Sequence, residues 1–154
     1  MKPQSVSATG LVKAPAGLVY NIIADYHNGH PHILPPQYFS DLTVEEGGVG
    51  AGTKIRFKLK VMGRMVDYYG VVSEPEPGRV LIENYPDING RTIFTVEPTA
   101  DGRHCHVTFT TESPMREGIL GRIQRWLIQR ILMPIYTAEL QQLAAFAEQR
   151  LEKQ

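Results

Sequence analysis

Glu83 and Tyr68 carry the polar chemistry that is hardest to reconcile with a plain apolar core. Glu83 alternates with Leu81 and Tyr85 in Leu81-Ile-Glu-Asn-Tyr85. If Leu81 faces inward, so does Glu83, and a carboxylate in apolar surroundings demands a partner, which Arg125 or Arg130 further along the chain would supply. If Ile82 is the buried residue instead, Glu83 is solvated, and the alternation alone leaves both readings open. Tyr68 raises a question of register. With Met62-Gly63 as a two-residue hairpin loop, Val61 pairs with Arg64, Leu59 with Val66 and Phe57 with Tyr68, so Tyr68 shares the inner face while Asp67 and Tyr69 face water. A three-residue loop would swap them and make Asp67 a buried acid with a raised pKa and possible base function. The two-residue loop is preferred because Gly63 suits the position that needs positive φ.

Other residue clusters invite chemistry and lose it on inspection. His27, His30 and His32 lie within six residues, a spacing at which imidazoles hold zinc, but a tetrahedral site wants a fourth ligand and a rigid element. Only Asp25 is near, and the loop is rich in proline, so no metal is expected. His104 and His106 alternate with Cys105, Val107 and Phe109, which puts the histidines on an outer face and Cys105 inside as a small core residue. Adjacent strand residues point to opposite sides, so these cannot form a Cys-His nucleophile pair. The run Gly47-Gly-Val-Gly-Ala-Gly52 lacks the Lys-Ser/Thr and following helix of a phosphate loop and reads as a flexible turn. No motif calls for a cofactor.

These residues need elements to position them. Ser5 to Lys13 reads as a strand, with Val6, Ala8, Gly10 and Val12 on one face. Pro15 then opens a short amphipathic helix to Asp25, with Leu18, Val19, Ile22 and Ile23 at helical spacing. Tyr26 to Gln37, with three histidines and three prolines, suits an irregular or single-turn element. From Phe39 to Thr111 the period is two, broken by turn residues into six strands. The clearest is Thr53 to Val61, where Ile55, Phe57, Leu59 and Val61 alternate with Lys54, Arg56, Lys58 and Lys60. From about Met115 to Lys153 the apolar residues fall at three- and four-residue steps, a long helix that Pro134 should bend near Arg130 to Leu132. The expected fold is α+β: a curved antiparallel sheet of about seven strands wrapped around a long C-terminal helix, with short helices after the first strand. A sheet with one apolar face and a helix with one apolar stripe must cover each other. Because a twisted sheet diverges from a straight rod, the gap between them can open into a cavity.

Composition bounds the rest. The 154 residues, 42% hydrophobic and 21% charged, suit one domain spanning 1–154. Sixteen Lys plus Arg balance sixteen Asp plus Glu, so there is no net field to attract a nucleic acid. One cysteine and a start without an apolar core fit a reducing cytoplasm. Gly118 to Tyr136 is the most apolar stretch, but Arg122, Arg125 and Arg130 inside it would be costly in a bilayer centre, so no transmembrane segment is expected. The same stretch holds no acidic residue, which leaves peripheral membrane contact as an alternative. A monomer and a homodimer are both compatible with the sequence.

The element order, the first strand ending in Ala14-Pro15 before a helix and Asp25-Tyr26, Gly50-Ala-Gly-Thr53 leading into a strand, the Glu74-Pro-Glu-Pro-Gly78 turn and the terminal helix together resemble the START-like (SRPBCC) superfamily. Within it the chain is similar to the polyketide cyclase/dehydrase and lipid-transport branch, from about Val6 to Leu151. The resemblance implies a helix-grip fold enclosing a hydrophobic cavity for a small apolar molecule, with members ranging from plain binders to enzymes. That family has no universal catalytic residues, so the resemblance transfers none.

The expected function is to bind a small hydrophobic molecule, lipid-like or polyketide-like, between sheet and helix. Phe57, Leu59, Tyr68, Tyr85, Phe94, Phe109 and Trp126 would form the apolar walls, and Glu83, Arg130 and the tyrosine hydroxyls would orient a polar end. Cyclase or dehydrase chemistry needs little more than a shaped pocket with one proton donor or acceptor, for which Glu83 and Tyr68 are the candidates. The alternative is a non-enzymatic protein-interaction or peripheral lipid-transfer module. It would work through the His27 to Pro36 loop and the arginine-bearing half of the long helix.

Overall fold

The computed structural model describes residues 2–153. Seven strands form one antiparallel sheet: β1 (Lys2–Val12), β2 (Phe39–Glu46), β3 (Lys54–Val61), β4 (Arg64–Glu76), β5 (Val80–Tyr85), β6 (Gly90–Pro98) and β7 (Cys105–Met115). Their order across the sheet is β1-β7-β6-β5-β4-β3-β2. The last six strands are a meander, and β1 returns to pair with β7 over its full length. Helix α1 (Ala16–Ala24) and a 3₁₀ turn (His30–Ile33) carry the chain from one edge of the sheet to the other, and α2 (Gly118–Glu152) closes the fold.

Each boundary has a local cause. Pro15 precedes the first turn of α1, where its missing N–H costs nothing. The β3–β4 loop is Met62-Gly63 with both residues at positive φ, 51° and 78°, the two-residue turn whose twist matches the flanking strands. The register follows from it. Phe57 pairs with Tyr68 and Leu59 with Val66, so Tyr68 faces inward over Phe57 while Asp67 is exposed. α2 remains helical through Pro134 over 35 residues.

The core lies between the inner face of the sheet, α1 and the second half of α2. Val12, Val96, Val107, Phe109 and Leu143 are fully buried there, and burial of a residue such as Leu143 contributes about 1.5–3 kcal/mol. α2 packs on β1, β7, α1 and the 3₁₀ turn. The gap left between α2 and the strands further across the sheet is a cavity.

Candidate functional site

Two glycine-dependent contacts fix the corner that follows α1. Gly29 turns back so tightly on α1 that a Cβ there would overlap the Ile22 carbonyl. The glycine run at 47–52 docks on the same corner: the Tyr26 N–H donates to the Gly48 carbonyl at 2.8 Å and the Gly50 N–H to the Ala24 carbonyl at 3.0 Å. It is a pinned turn rather than a loose one. From the other side, Gln142 and Arg150 of α2 donate to the carbonyls of His32 and Asn28, and His32 stacks on Phe146. The segment thus clamped presents Tyr26 and His30 to the interior.

There they meet Glu83 of β5. The Tyr26 hydroxyl donates to Glu83 Oε1 at 2.7 Å and the Tyr85 hydroxyl to Oε2 at 2.5 Å. His30 stacks on Tyr26 with ring centroids 4.3 Å apart. Its Nδ1 lies 2.8 Å from the Ile23 carbonyl, which can only accept, so Nδ1 carries a proton. Nε2 then faces Glu83 Oε1 at 3.5 Å, ion-pair distance for the imidazolium form. Thr92 Oγ1 is 3.2 Å from the Tyr85 hydroxyl. With the tyrosine's proton committed to Glu83, the threonine is the donor in that contact. Burial, and then the charge of Glu83, push the Tyr26 and Tyr85 phenols far above their ordinary range, so both remain proton donors.

His30, Glu83, Tyr85 and Thr92 of this cluster form one wall of a cavity of about 280 Å³ between the sheet and α2, with Tyr26 packed behind them. Phe57, Leu59 and Tyr68 of the β3–β4 hairpin, with Phe94 of β6, supply apolar wall. Ile131, Leu132 and Ile135 of α2 face them. Two polar side chains of α2 also line the space. Tyr136 and Glu139 are both 4% exposed, and the Tyr136 hydroxyl makes no hydrogen bond of standard length and angle among the described residues. Burial, and then the charge of Glu83, raise the Glu139 carboxyl well above the ordinary carboxylate range.

Of the residues anticipated from sequence, Phe57, Leu59, Tyr68, Glu83, Tyr85 and Phe94 come together at the cavity. Three do not line it. Phe109 is core, wedged edge-on between Phe94 and Tyr136. Trp126 is 59% exposed, and Arg130 lies over its ring on the outer side of α2, because this half of the helix turns only Ile128, Ile131 and Leu132 toward the cavity. Arg130 and Arg125 are both exposed, so the arginine expected to meet Glu83 is replaced by two tyrosines and a histidine. Sequence reasoning missed Tyr26, Thr92, Tyr136 and Glu139. Glu139 had a readable signal, since it falls on the stripe of Leu132, Ile135 and Leu143. His30, weighed from the sequence as a metal ligand, is 3% exposed and lines the cavity. His27 and His32 are exposed and point elsewhere, and among the described residues no three metal-ligating side chains converge. Cys105 faces the core, where burial pushes its thiol up to about 11.

The sheet, the grip helix and the cavity between them define the helix-grip class. The family model described as polyketide cyclase/dehydrase and lipid transport matches residues 3–148, and the chain belongs to that family. Among solved structures it is similar to the KanY protein, with 28% identity, a TM-score of 0.80, and 96% of this chain and 99% of that one covered. It is also similar in fold to the ZhuI aromatase/cyclase from a Streptomyces species, with 20% identity, a TM-score of 0.75, and 97% and 96% covered. A START superfamily protein from Mycobacterium smegmatis shares the fold at 13% identity and a TM-score of 0.72, with 94% and 97% covered. A comparison with curated proteins finds no match.

Proposed function

We propose that this protein binds one small apolar molecule in the cavity between sheet and α2, with the polar end of that molecule toward Glu83. The observation that carries the reading is the cavity itself, about 280 Å³ with a mainly apolar wall and polar groups gathered at Glu83, Tyr85 and His30. That pattern suits orientation of a ligand by a few placed groups. A carboxylate held by two tyrosine donors inside an apolar wall is also a positioned proton acceptor. Chemistry of the cyclase or dehydrase type, in keeping with the family, is the activity it would support. The test is native mass spectrometry of protein purified from its own cell extract, followed by denaturing extraction. A stoichiometric apolar passenger is expected. An empty protein whose melting temperature does not move across lipids, flavonoids and polyketides would overturn the reading.

A second reading is favoured by the outer face of α2. Ile119, Leu120, Ile123, Trp126 and Leu127 are 41–75% exposed, flanked by exposed Arg122, Arg125 and Arg130 with no acidic residue between Gly118 and Tyr136. This is the composition of a helix that lies on an anionic membrane surface, and among the described residues no helix is long and apolar enough to cross one. Co-sedimentation with phosphatidylserine vesicles should be lost on Arg122→Glu with Arg125→Glu. Sedimentation independent of lipid charge and of both arginines would remove it.

A further inference from the structure

Tyr136 and Glu139 are three residues apart on α2, so they project from one face of the helix. Both are almost fully buried, and both line the cavity. The tyrosine hydroxyl makes no hydrogen bond of standard length and angle among the described residues, although the Thr92 hydroxyl lies close enough to lower its pKa against the effect of burial. Glu139 makes no hydrogen bond or ion pair there either, in contrast to Glu83, whose two oxygens are taken by Tyr26 and Tyr85. Buried polar groups in folded proteins are ordinarily satisfied, and two unsatisfied neighbours facing a cavity mark the place where a ligand atom belongs.

The charges around them decide what that atom is. Glu83 is the ionisable group whose charge bears most on Glu139. Arg91, at the rim, is occupied by Glu112 at 3.0 Å. His30 faces Glu83 rather than α2. An anionic ligand would therefore meet a carboxyl and, among the described residues lining the cavity, no free cation. Burial and the neighbouring Glu83 favour the neutral acid at Glu139, and a neutral acid offers an O–H. Tyr136 offers a second.

We infer that Tyr136 and Glu139 form a second polar subsite that donates two hydrogen bonds to one carbonyl oxygen of an uncharged, mainly apolar ligand. The inference rests on the reading of the cavity as a ligand site and adds its selectivity: neutral ketones over hydrocarbons and carboxylates. A carbonyl oxygen has two lone pairs and no proton of its own, which matches a pair of donors.

The test uses α-tetralone, its hydrocarbon counterpart tetralin and 1-naphthoic acid, titrated calorimetrically into the whole protein. Wild type should bind tetralone about tenfold more tightly than tetralin, as expected for one to two hydrogen bonds between neutral groups, and the charged acid more weakly than either. Tyr136→Phe and Glu139→Leu should each erase most of the ketone preference while keeping tetralin affinity, which also shows that the variants remain folded. Glu139→Gln, whose amide still donates, should retain it. The infrared carbonyl stretch of bound tetralone should move to lower frequency in wild type and return in Tyr136→Phe. An unchanged ketone preference in both Tyr136→Phe and Glu139→Leu overturns the subsite and leaves the cavity reading intact, as does tighter binding of the acid. If neither tetralone nor tetralin binds to wild type, the cavity reading fails and this inference falls with it.

Discussion

Tyr26 donates its hydroxyl proton to Glu83 at 2.7 Å across 57 residues of chain. The bond ties the loop after α1 to the middle of the sheet, and it keeps a buried carboxylate supplied with a donor on each oxygen once Tyr85 is counted. A hydrogen bond to a charged group in such surroundings is among the stronger single interactions available to a fold.

Removing that donor should therefore cost stability. Tyr26→Phe is expected to lower the free energy of unfolding by about 1.5–3 kcal/mol, read from urea denaturation. In a Glu83→Gln background the same substitution should cost at least about 1 kcal/mol less, since the charge it served is gone. Equal costs in both backgrounds would show that the tyrosine acts by packing alone.

Glu139 predicts a pH dependence of definite sign. Its carboxyl is raised in the folded protein, by burial first and the charge of Glu83 second, whereas the unfolded chain ionises near the ordinary value of 4.5. The folded state then holds the proton more tightly, so the stabilisation is complete below about pH 4.5 and is lost as pH rises toward the folded value. Glu139→Gln has no such proton to lose. Its melting temperature relative to wild type should rise steadily as pH climbs from about 4.5, by calorimetry. A gap that stays constant with pH would mean that Glu139 titrates normally.

The reach of the sequence can be judged from these same residues. Tyr68 was legible because a two-residue loop with glycine fixes the register of a hairpin, and the register fixes the face. Glu83 was half legible: the strand is buried on both faces, Ile82 at 8% and Glu83 at 4%, so alternation could not choose between them. Tyr26 and His30 were not legible, because their positions depend on contacts made by Gly29, Gly48 and α2 far along the chain. Trp126 was misread for a physical reason. The first half of α2 is apolar on the side away from the cavity, and an apolar residue in a helix is ordinarily assigned inward.

Gly29 and Gly17 make a matched pair in which the same substitution has opposite effects. A Cβ at Gly29 runs into the backbone carbonyl of Ile22, whereas at Gly17 in α1 it meets nothing within 4 Å. Gly29→Ala should destabilise by about 1–3 kcal/mol, as overpacking against backbone does. It should also weaken binding of any cavity ligand, because His30 follows directly. Gly17→Ala should be neutral or stabilising by up to about 1 kcal/mol. Denaturant melts of the two variants check the pair, and a neutral Gly29→Ala would show that the corner can open without cost.

The outer face of α2 gives the sharpest separation between stability and docking. Ile123 and Trp126 are 56% and 59% exposed, so replacing both with serine removes little buried area and should change stability by less than about 1 kcal/mol. Leu143, on the same helix but fully buried, should cost about 2–5 kcal/mol as Leu143→Ala. If the exposed side chains insert among lipid headgroups, the Ile123→Ser, Trp126→Ser double variant should lose vesicle co-sedimentation even with all three arginines present, and Trp126 fluorescence in wild type should shift to the blue on adding vesicles. Arginine alone would give binding that salt abolishes and serine leaves untouched. A double variant that keeps binding to phosphatidylserine vesicles would therefore reduce the contact to charge. A double variant that loses several kcal/mol of stability would mean that this face is covered in solution by protein, with a second copy of the chain as the first candidate to weigh by sedimentation equilibrium.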